Sequence, residues 1–287
     1  GAIERAHDEF LYLQILGEGD RLGKSRVKHE VYDQLEILMS EKSGQSLNQS
    51  LNQFFSGLQD VASNPTSPPE RSTLLAEAQN LVSTFNNIGE SLFQVQQNLD
   101  AAVAVDLGKI NSLTKDIASL NQAIHANEPT TFNANDYRDE RDLKVKKLTE
   151  LVDMDFIDEL DGQISLTRND GTPLVLRSTA FTLDTAINGN NKSFYDVIVR
   201  DPAGNETNIT STVNGGTLKG YLEMRDTIVE EILDKLDRLA AGFVKEFNEI
   251  HQQGFGLDGS TGNNFFSTLE TTVDANANNT GLATLTA

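Results

Sequence analysis

With 287 residues, 38% of them hydrophobic, the chain can bury a sizeable core, and its length suits two domains. Its 43 acidic against 23 basic residues give a formal charge of −20, which repels phosphate backbones and anionic lipid surfaces and argues against nucleic acid and membrane partners. There is no cysteine, which excludes disulfides, thiolate metal sites and cysteine nucleophiles, and no stretch approaches the ~20 consecutive apolar residues of a membrane span.

The first predicted element is a helix over 2–39, with Val27, Val31, Leu35 and Leu38 in steps of four, four and three. Gly17, Gly19 and Gly23 lower helix propensity in its middle and predict a break or kink there. Ser43-Gly44 reads as a turn. A second helical stripe follows at Leu47, Leu51, Phe54, Leu58 and Val61, and it ends at Ser63-Asn64-Pro65, because a residue before proline is pushed out of the helical region. Phe54, Phe55, Phe243 and Phe247 fall on or beside such stripes and are read as core.

Pro68-Pro69-Glu70 then opens the longest element. From 70 to 127 no proline occurs, and one apolar stripe runs Leu75, Ala78, Val82, Phe85, Ile88, Leu92, Val95, Leu99, Val103, Leu107, Ile110, Leu113, Ile117, Leu120, Ile124. Alternating steps of three and four keep these side chains on one helical face, a seam of the coiled-coil kind. Such a helix is roughly 85 Å long at 1.5 Å per residue, which predicts a rod. After Asn127-Glu128-Pro129, Asn135 is the expected N-cap of a helix carrying Tyr137, Leu143, Leu148 and Leu151.

The period then changes. Short β-forming runs at 154–157, 164–167, 174–176, 181–183 and 194–199 are separated by Asp161-Gly162, Asn169-Asp170-Gly171, Asn188-Gly189-Asn190 and Asp201-Pro202-Ala203-Gly204-Asn205. Asp-Gly between apolar runs is a strong hairpin signal, so this region reads as a small antiparallel β subdomain. Asn214-Gly215-Gly216 closes it. A long helix over 217–252 follows, with a stripe of Leu218, Leu222, Ile228, Ile232, Leu239, Phe243, Phe247 and Ile250. The expected fold class is mainly α with a small β subdomain (α+β): an elongated antiparallel helical bundle carrying an inserted antiparallel β subdomain. Its parts are 1–151, the first part of the bundle; 152–216, the β subdomain; 217–252, a bundle helix; and 253–287, a loop or the start of an outer domain. On this reading the β insertion could be shortened to a linker without loss of the bundle.

Chemistry-bearing patterns are sparse. His7, His29, His125 and His251 have no three- or four-residue spacing, so no two-histidine helical metal site is predicted. Asp153, Asp155, Asp158, Glu159 and Asp161 read as a solvated acidic rim. Asp258-Gly259-Ser260-Thr261-Gly262-Asn263-Asn264 faintly resembles a calcium loop but lacks a second early carboxylate and a glutamate at position twelve. Neither a GxxxxGK[ST] nor a GxSxG pattern occurs. No enzyme, cofactor or metal site is expected.

Three stretches carry a resemblance. They are Phe54-Phe55-Ser56-Gly57-Leu58-Gln59-Asp60-Val61-Ala62-Ser63-Asn64-Pro65; Lys115-Asp116-Ile117-Ala118-Ser119-Leu120-Asn121-Gln122-Ala123-Ile124 with Asn135-Asp136-Tyr137-Arg138-Asp139-Glu140-Arg141-Asp142; and Leu239-Ala240-Ala241-Gly242-Phe243-Val244-Lys245-Glu246-Phe247-Asn248-Glu249-Ile250-His251 with Gly254-Phe255 and Phe265-Phe266. In this order they resemble the flagellar hook-associated protein 1 family, junction proteins between hook and filament. The resemblance implies a structural, extracellular subunit of the bacterial flagellum, exported through the flagellar secretion system. It also implies assembly with itself in an axial ring, with hook protein and with the next junction protein. The family's amino-terminal motif and carboxy-terminal helix are not found here, so the chain reads as a core fragment, expected to be monomeric in solution. The alternatives are another axial protein, such as hook-associated protein 3 or flagellin, and a secreted coiled-coil binding module or adhesin.

Four residues of the second stretch are candidate helix-register or subunit contacts: Arg138, Asp139, Arg141 and Asp142. Pairs four apart, Arg138 with Asp142 and Asp142 with Lys146, suit helical ion pairs worth about 0.3–0.5 kcal/mol each. Arg141 or Asp142 could instead cross to a neighbouring helix or subunit and fix its register.

Overall fold

A computed structural model describes residues 9–40, 46–127, 134–159 and 161–267. The expected helix start at Ala2, the Ser43-Gly44 turn, the loop after Asn127, His7 and the tail beyond 267 lie outside them. The helices are α1 (Glu9–Met39), α2 (Leu47–Ser63), α3 (Pro68–Asn127), α4 (Ala134–Thr149), α5 (Gly216–Glu223) and α6 (Val229–His251). Between α4 and α5 stand β1 (Asp155–Asp158), β2 (Ile164–Thr167), β3 (Pro173–Leu176), β4 (Thr179–Ala180), β5 (Thr182–Ile187), β6 (Tyr195–Arg200) and β7 (Glu206–Asn208). The class is thus mainly α with small antiparallel sheets. Contacts divide the chain into two units, Gly1–Val31 with Gln97–Thr227, and Tyr32–Gln96 with Ile228–Ala287.

The helix ends follow from their residues. Ser46 caps α2 by accepting the Gln49 N–H at 3.2 Å. At the other end the Asn64 N–H returns to Asp60 O at 3.0 Å, and Pro65 stops the helix. Ser67 bonds the Glu70 carboxylate at the start of α3, whose first turn takes Pro68 and Pro69. α4 starts at Ala134, so Asn135 lies inside its first turn instead of capping it.

In the first unit α1 crosses its glycine cluster unbroken. The predicted break does not occur, and two of these glycines serve contact instead. A Cβ on Gly19 would stand 2.3 Å from Thr149 Oγ1, and one on Gly23 would stand 2.0 Å from Glu150 O. The main chain of α1 thereby lies directly against the end of α4. At that joint Glu150 O and Leu151 O accept the Thr217 and Leu218 N–H groups at 2.9 and 3.0 Å, so carbonyls of the turn that follows α4 satisfy the first donors of α5. Gly216 makes this possible, with φ +72 and no room for a Cβ beside Leu151.

The strands form two antiparallel sheets, ordered β1-β2-β3-β4 and β5-β6-β7. All five predicted β runs are present within a residue or two at their starts; β5 extends to Ile187, and the short polar strands β4 and β7 are additional. The sheets are not a self-contained subdomain. Ile164, Leu166, Leu174, Val175, Leu183, Val197 and Val199 share one buried cluster with Leu16 of α1, Val103, Leu107, Ile110 and Ile117 of α3, Val145 and Leu148 of α4, and Leu218 and Leu222 of α5. The boundaries expected at 151/152 and 216/217 follow changes of secondary structure, whereas the packing there joins strands and helices in one core; the boundary expected at 252/253 follows the end of α6 at His251. Leu143, placed on the α4 stripe, is exposed.

In the second unit the α3 stripe is buried at Ala78, Val82, Phe85, Leu92 and Val95. Leu75 departs from it: Leu74 turns inward instead, against Gly57 of α2, where a Cβ would meet Leu74 Cα at 3.5 Å. The predicted 217–252 helix runs through α5, a π-helical turn (Met224–Ile228) and α6. The buried positions of α6 are Val229, Leu233, Leu236, Ala240, Val244 and Asn248, all but Leu236 one residue past the predicted Ile228, Ile232, Leu239, Phe243 and Phe247, while Leu239 and Ile250 point outward. Phe54 is fully buried at the centre of an aromatic cluster, with ring centroids 5.2–5.9 Å from Phe55, Phe243, Phe247, Phe265 and Phe266. Asn248 ties the returning chain to α6 by accepting the Phe265 and Phe266 N–H groups, both at 3.0 Å, and donating to Phe266 O at 2.8 Å.

Candidate functional site

Where a sheet meets a helix, peptide groups beyond the reach of a neighbouring strand must find other partners, because each one buried unpaired costs about 1–3 kcal/mol. In the first unit α3 supplies them from Asp100, Asn111 and Asn121. These are 11 and 10 residues apart, close to three helical turns each, so all three project to one side. Asn111 pairs both peptide groups of Leu183 on β5: its Nδ2 donates to Leu183 O at 2.7 Å, and its Oδ1 accepts the Leu183 N–H at 2.8 Å. Asn121 does the same at Ile164, the first residue of β2, at 2.8 and 3.2 Å, and also donates to Arg177 O at 2.6 Å. Asp100 accepts the Tyr195 N–H at the start of β6 at 2.8 Å.

Two buried arginines complete these clamps. Arg141 of α4 reaches Asn121 on α3: its Nη1 donates to Asn121 Oδ1 at 3.1 Å and to Gly162 O at 2.9 Å, linking α4, α3 and the β1–β2 turn. Burial lowers the guanidinium's pKa, and the Asp142 carboxylate, 3.8 Å from Nε, opposes that. Arg225 stands in the π-helical turn with its side chain fully buried. Its Nη1 donates to Asp100 Oδ1 at 2.5 Å and to Tyr195 O at 3.0 Å; its Nε and Nη2 reach Asp226 at 2.7 and 2.8 Å. The guanidinium also lies 5.4 Å from the Phe194 ring centroid. Burial pulls its pKa down, but the two carboxylates outweigh that and hold it above the ordinary value. A third arginine, Arg168 at the end of β2, is fully buried and bonds Asp170 at 3.0 Å and Thr212 at 3.1 Å, with Asp153 3.6 Å away.

Of the four sequence candidates only Arg141 is buried; Arg138 and Asp142 are half-buried, and Asp139 is exposed. Lys144, not among them, bonds Asp116 of α3 at 2.7 Å. Asn111, Asn121, Asp100 and Arg225 escaped the sequence reading. Their only signal is polar residues beside an apolar stripe at intervals of about three turns.

Such a constellation orients elements and performs no bond chemistry. Among the described residues no group of three or more histidine, cysteine or carboxylate side chains could hold a metal, and no helix is long and apolar enough to cross a membrane.

The model of the helical domain of flagellar hook-associated protein FlgK matches residues 32–266. Flagellar hook-associated protein 1 of Bacillus subtilis (strain 168) is 29% identical over 289 residues, covering 92% of this chain and 57% of the relative. That of Salmonella typhimurium is 30% identical over 280 residues, covering 96% and 50%. The structure of the flagellar hook junction protein FlgK from Burkholderia pseudomallei superposes with a TM-score of 0.80 at 25% identity, over 88% of this chain and 46% of that one. The chain spans about half the length of the curated relatives it matches.

Proposed function

Because the chain belongs to the family of flagellar hook-associated protein 1, FlgK, we propose that it is a structural part of an adaptor between the hook and the filament of a bacterial flagellum. The protein is exported through the flagellar secretion system and works outside the cell. It assembles with further copies of itself in an axial ring and packs against hook protein and the next junction protein. The observation that carries this reading is the match of the helical-domain model over 32–266, which includes α2 to α6 and both sheets.

The buried clamps suit a load-bearing subunit. Each ties a strand to a helix through directed hydrogen bonds, which fix one register where apolar packing alone tolerates sliding. In this role Arg141 is a register residue, joining α4 to Asn121. Arg138 and Asp142 flank it, and Asp139 is exposed on the same helix.

The test is deletion of the gene in its source bacterium. Cells should build hooks, lack attached filaments and release filament subunits into the medium, and the full-length gene should restore motility. Normal filaments in the deletion strain would overturn the reading.

A further inference from the structure

We propose that the first unit holds one internal water molecule as a structural ligand, accepting from the Nε–H and Nη2–H edge of Arg168 and donating to Asp153 Oδ2. Arg168 at the end of β2 and Asp153 in the segment between α4 and β1 both have fully buried side chains, although Asp153 reads from sequence as part of a solvated rim. A guanidinium carries five N–H groups. The two on Nη1 go to Asp170 Oδ2 at 3.0 Å and to Thr212 Oγ1 at 3.1 Å. Nε and Nη2, which carry the rest, meet no acceptor among the described residues. On the facing carboxylate, Oδ1 accepts the Asn214 N–H at 3.0 Å, while Oδ2 is buried and meets no donor there.

Opposite charges this close ordinarily bond directly. Here the nearest approach, Nη2 to Asp153 Oδ1, is 3.6 Å, outside hydrogen-bond distance. Both sides are pinned. Moving the guanidinium would stretch the Nη1 bonds to Asp170 and Thr212, and moving the carboxylate would release the Asn214 N–H just ahead of α5. Left unmatched, buried groups of this kind cost about 1–3 kcal/mol each, and more when charged.

The chemistry of the unmatched atoms selects the occupant. An anion would satisfy Arg168 but face Asp153 and Asp170, and a cation would satisfy Asp153 but face the guanidinium. The ligand must be neutral, small, and donor and acceptor at once, which is water. Nε–H and one Nη2–H lie parallel along one edge of a guanidinium, so a single oxygen can accept both. Asp153 Oδ2 is one carboxylate width from Oδ1, within the roughly 6 Å that one water spans between two partners. Three bonds result, the usual number for an internal water. The chain neighbours Val152 and Val213 are fully buried members of the apolar cluster. The site is therefore set in the core, and its water exchanges with solvent when the fold opens locally.

The experiment is proton NMR on unaltered, nitrogen-15-labelled protein, recording cross-peaks between the water resonance and the Arg168 Nε–H in the laboratory and rotating frames. A held water gives peaks of opposite sign in the two frames, and that result is expected. The same pattern should persist in Thr212→Val, which removes the hydroxyl bonded to this guanidinium and with it any signal relayed through that group. A crystal structure of the unaltered protein supplies an independent arm if the variant does not fold. Ordered solvent should appear about 2.7–3.2 Å from Arg168 Nε or Nη2 and from Asp153 Oδ2. No cross-peak, peaks of the same sign in both frames, or their loss in folded Thr212→Val overturns the proposal. So does a guanidinium bonded directly to Asp153 with no solvent between them.

Discussion

The two units solve different problems with different residues. In the first, two sheets share a core with helices, and the sheets leave peptide groups at Leu183, Ile164 and Tyr195 that only side chains can reach. Polar residues therefore enter that core: Arg141, Arg168 and Arg225 are buried, and so are Asn121, Asp106 and Thr217, the last bonded to the Asp106 carboxylate. In the second unit helices satisfy their own main chain, and the centre is filled by phenylalanine. The few buried polar groups there act locally. Ser50 meets Thr84 at 2.9 Å, Gln96 meets Glu230 at 3.0 Å, and Asn248 holds the returning chain. A mixed α/β core demands more directed bonds than a helical one, where Asn248 meets the same need only at the returning chain.

The sharpest way to break this comparison is to replace residues 155–212 with a short Gly/Ser linker. If the strands were an appendage, the first unit would survive. Because Ile164, Leu166, Leu174, Val175, Leu183, Val197 and Val199 complete a cluster that α1, α3, α4 and α5 cannot close alone, hydrogen-exchange protection should be lost throughout 97–127. Protection around Phe54 and Phe247 should persist. Retained protection in 97–127 would show the helices to be self-sufficient.

Single substitutions probe the same contrast at smaller scale. Phe54→Ala removes the ring that touches five others and should destabilise the second unit by about 3–5 kcal/mol. Arg225→Ala should cost about 3 kcal/mol in the first, because Asp100, Asp226 and Tyr195 O lose a common donor. Denaturant unfolding read by tyrosine signal separates the two. Tyr12, Tyr137, Tyr195 and Tyr221 lie in the first unit and only Tyr32 in the second, and the chain has no tryptophan. A strong tyrosine response to Phe54→Ala with none to Arg225→Ala would invert the assignment.

Much of this architecture was legible as periodicity. The α3 stripe, the Asp-Gly turns and the return helix are local patterns, and local patterns are what a sequence displays. What stayed hidden depended on a partner far along the chain. Gly19 and Gly23 read as helix breakers because propensity ignores Thr149 and Glu150, whose approach they permit. The α6 stripe read through Leu239 and Ile250 is displaced from the buried Ala240 and Val244, because exposed and buried apolar residues carry the same hydropathy. Asn121 looks like a surface residue because a buried hydrogen bond leaves no trace in hydropathy; its partner Arg141 stands out only as a charged candidate for crossing to a neighbouring helix.

The glycine contrast gives the next prediction. Gly216→Ala should destabilise the first unit by about 2 kcal/mol or more, as φ +72 is strained for alanine and its Cβ would meet Leu151 C at 2.2 Å. Gly108→Ala, on α3 with open space around it, should stabilise the same unit by about 0.5–1 kcal/mol. Thermal midpoints moving in the same direction for both would show that contact does not distinguish the two sites.

The smallest expected effect concerns a carboxylate that the joint tolerates without needing. Asp20 of α1 lies against Gly215, where a Cβ would stand 2.6 Å from its Oδ2, and its buried Oδ1 has no hydrogen-bond partner. Burial raises its pKa above 3.8; the Asp153 charge works in the same direction, while Arg21 opposes it. A carboxyl whose folded pKa is raised favours folding below its unfolded value and loses that advantage as pH rises through the folded one. Asp20→Asn should therefore raise stability at pH 7 by under about 1 kcal/mol, since the carboxyl is only partly buried. The gain should vanish below about pH 3.8. Asp170 serves as the opposite control: although burial works against ionisation, its bonds to Thr212 and Thr172 and the Arg168 charge hold its pKa at about 2. Asp170→Asn should therefore lower stability at pH 7, a loss that disappears as pH falls from 3.8 toward 2. Unfolding midpoints across pH 2–7 check both slopes. If Asp20→Asn lowers stability at pH 7, the charged carboxylate holds α1 at the joint and the raised pKa has been given the wrong cause.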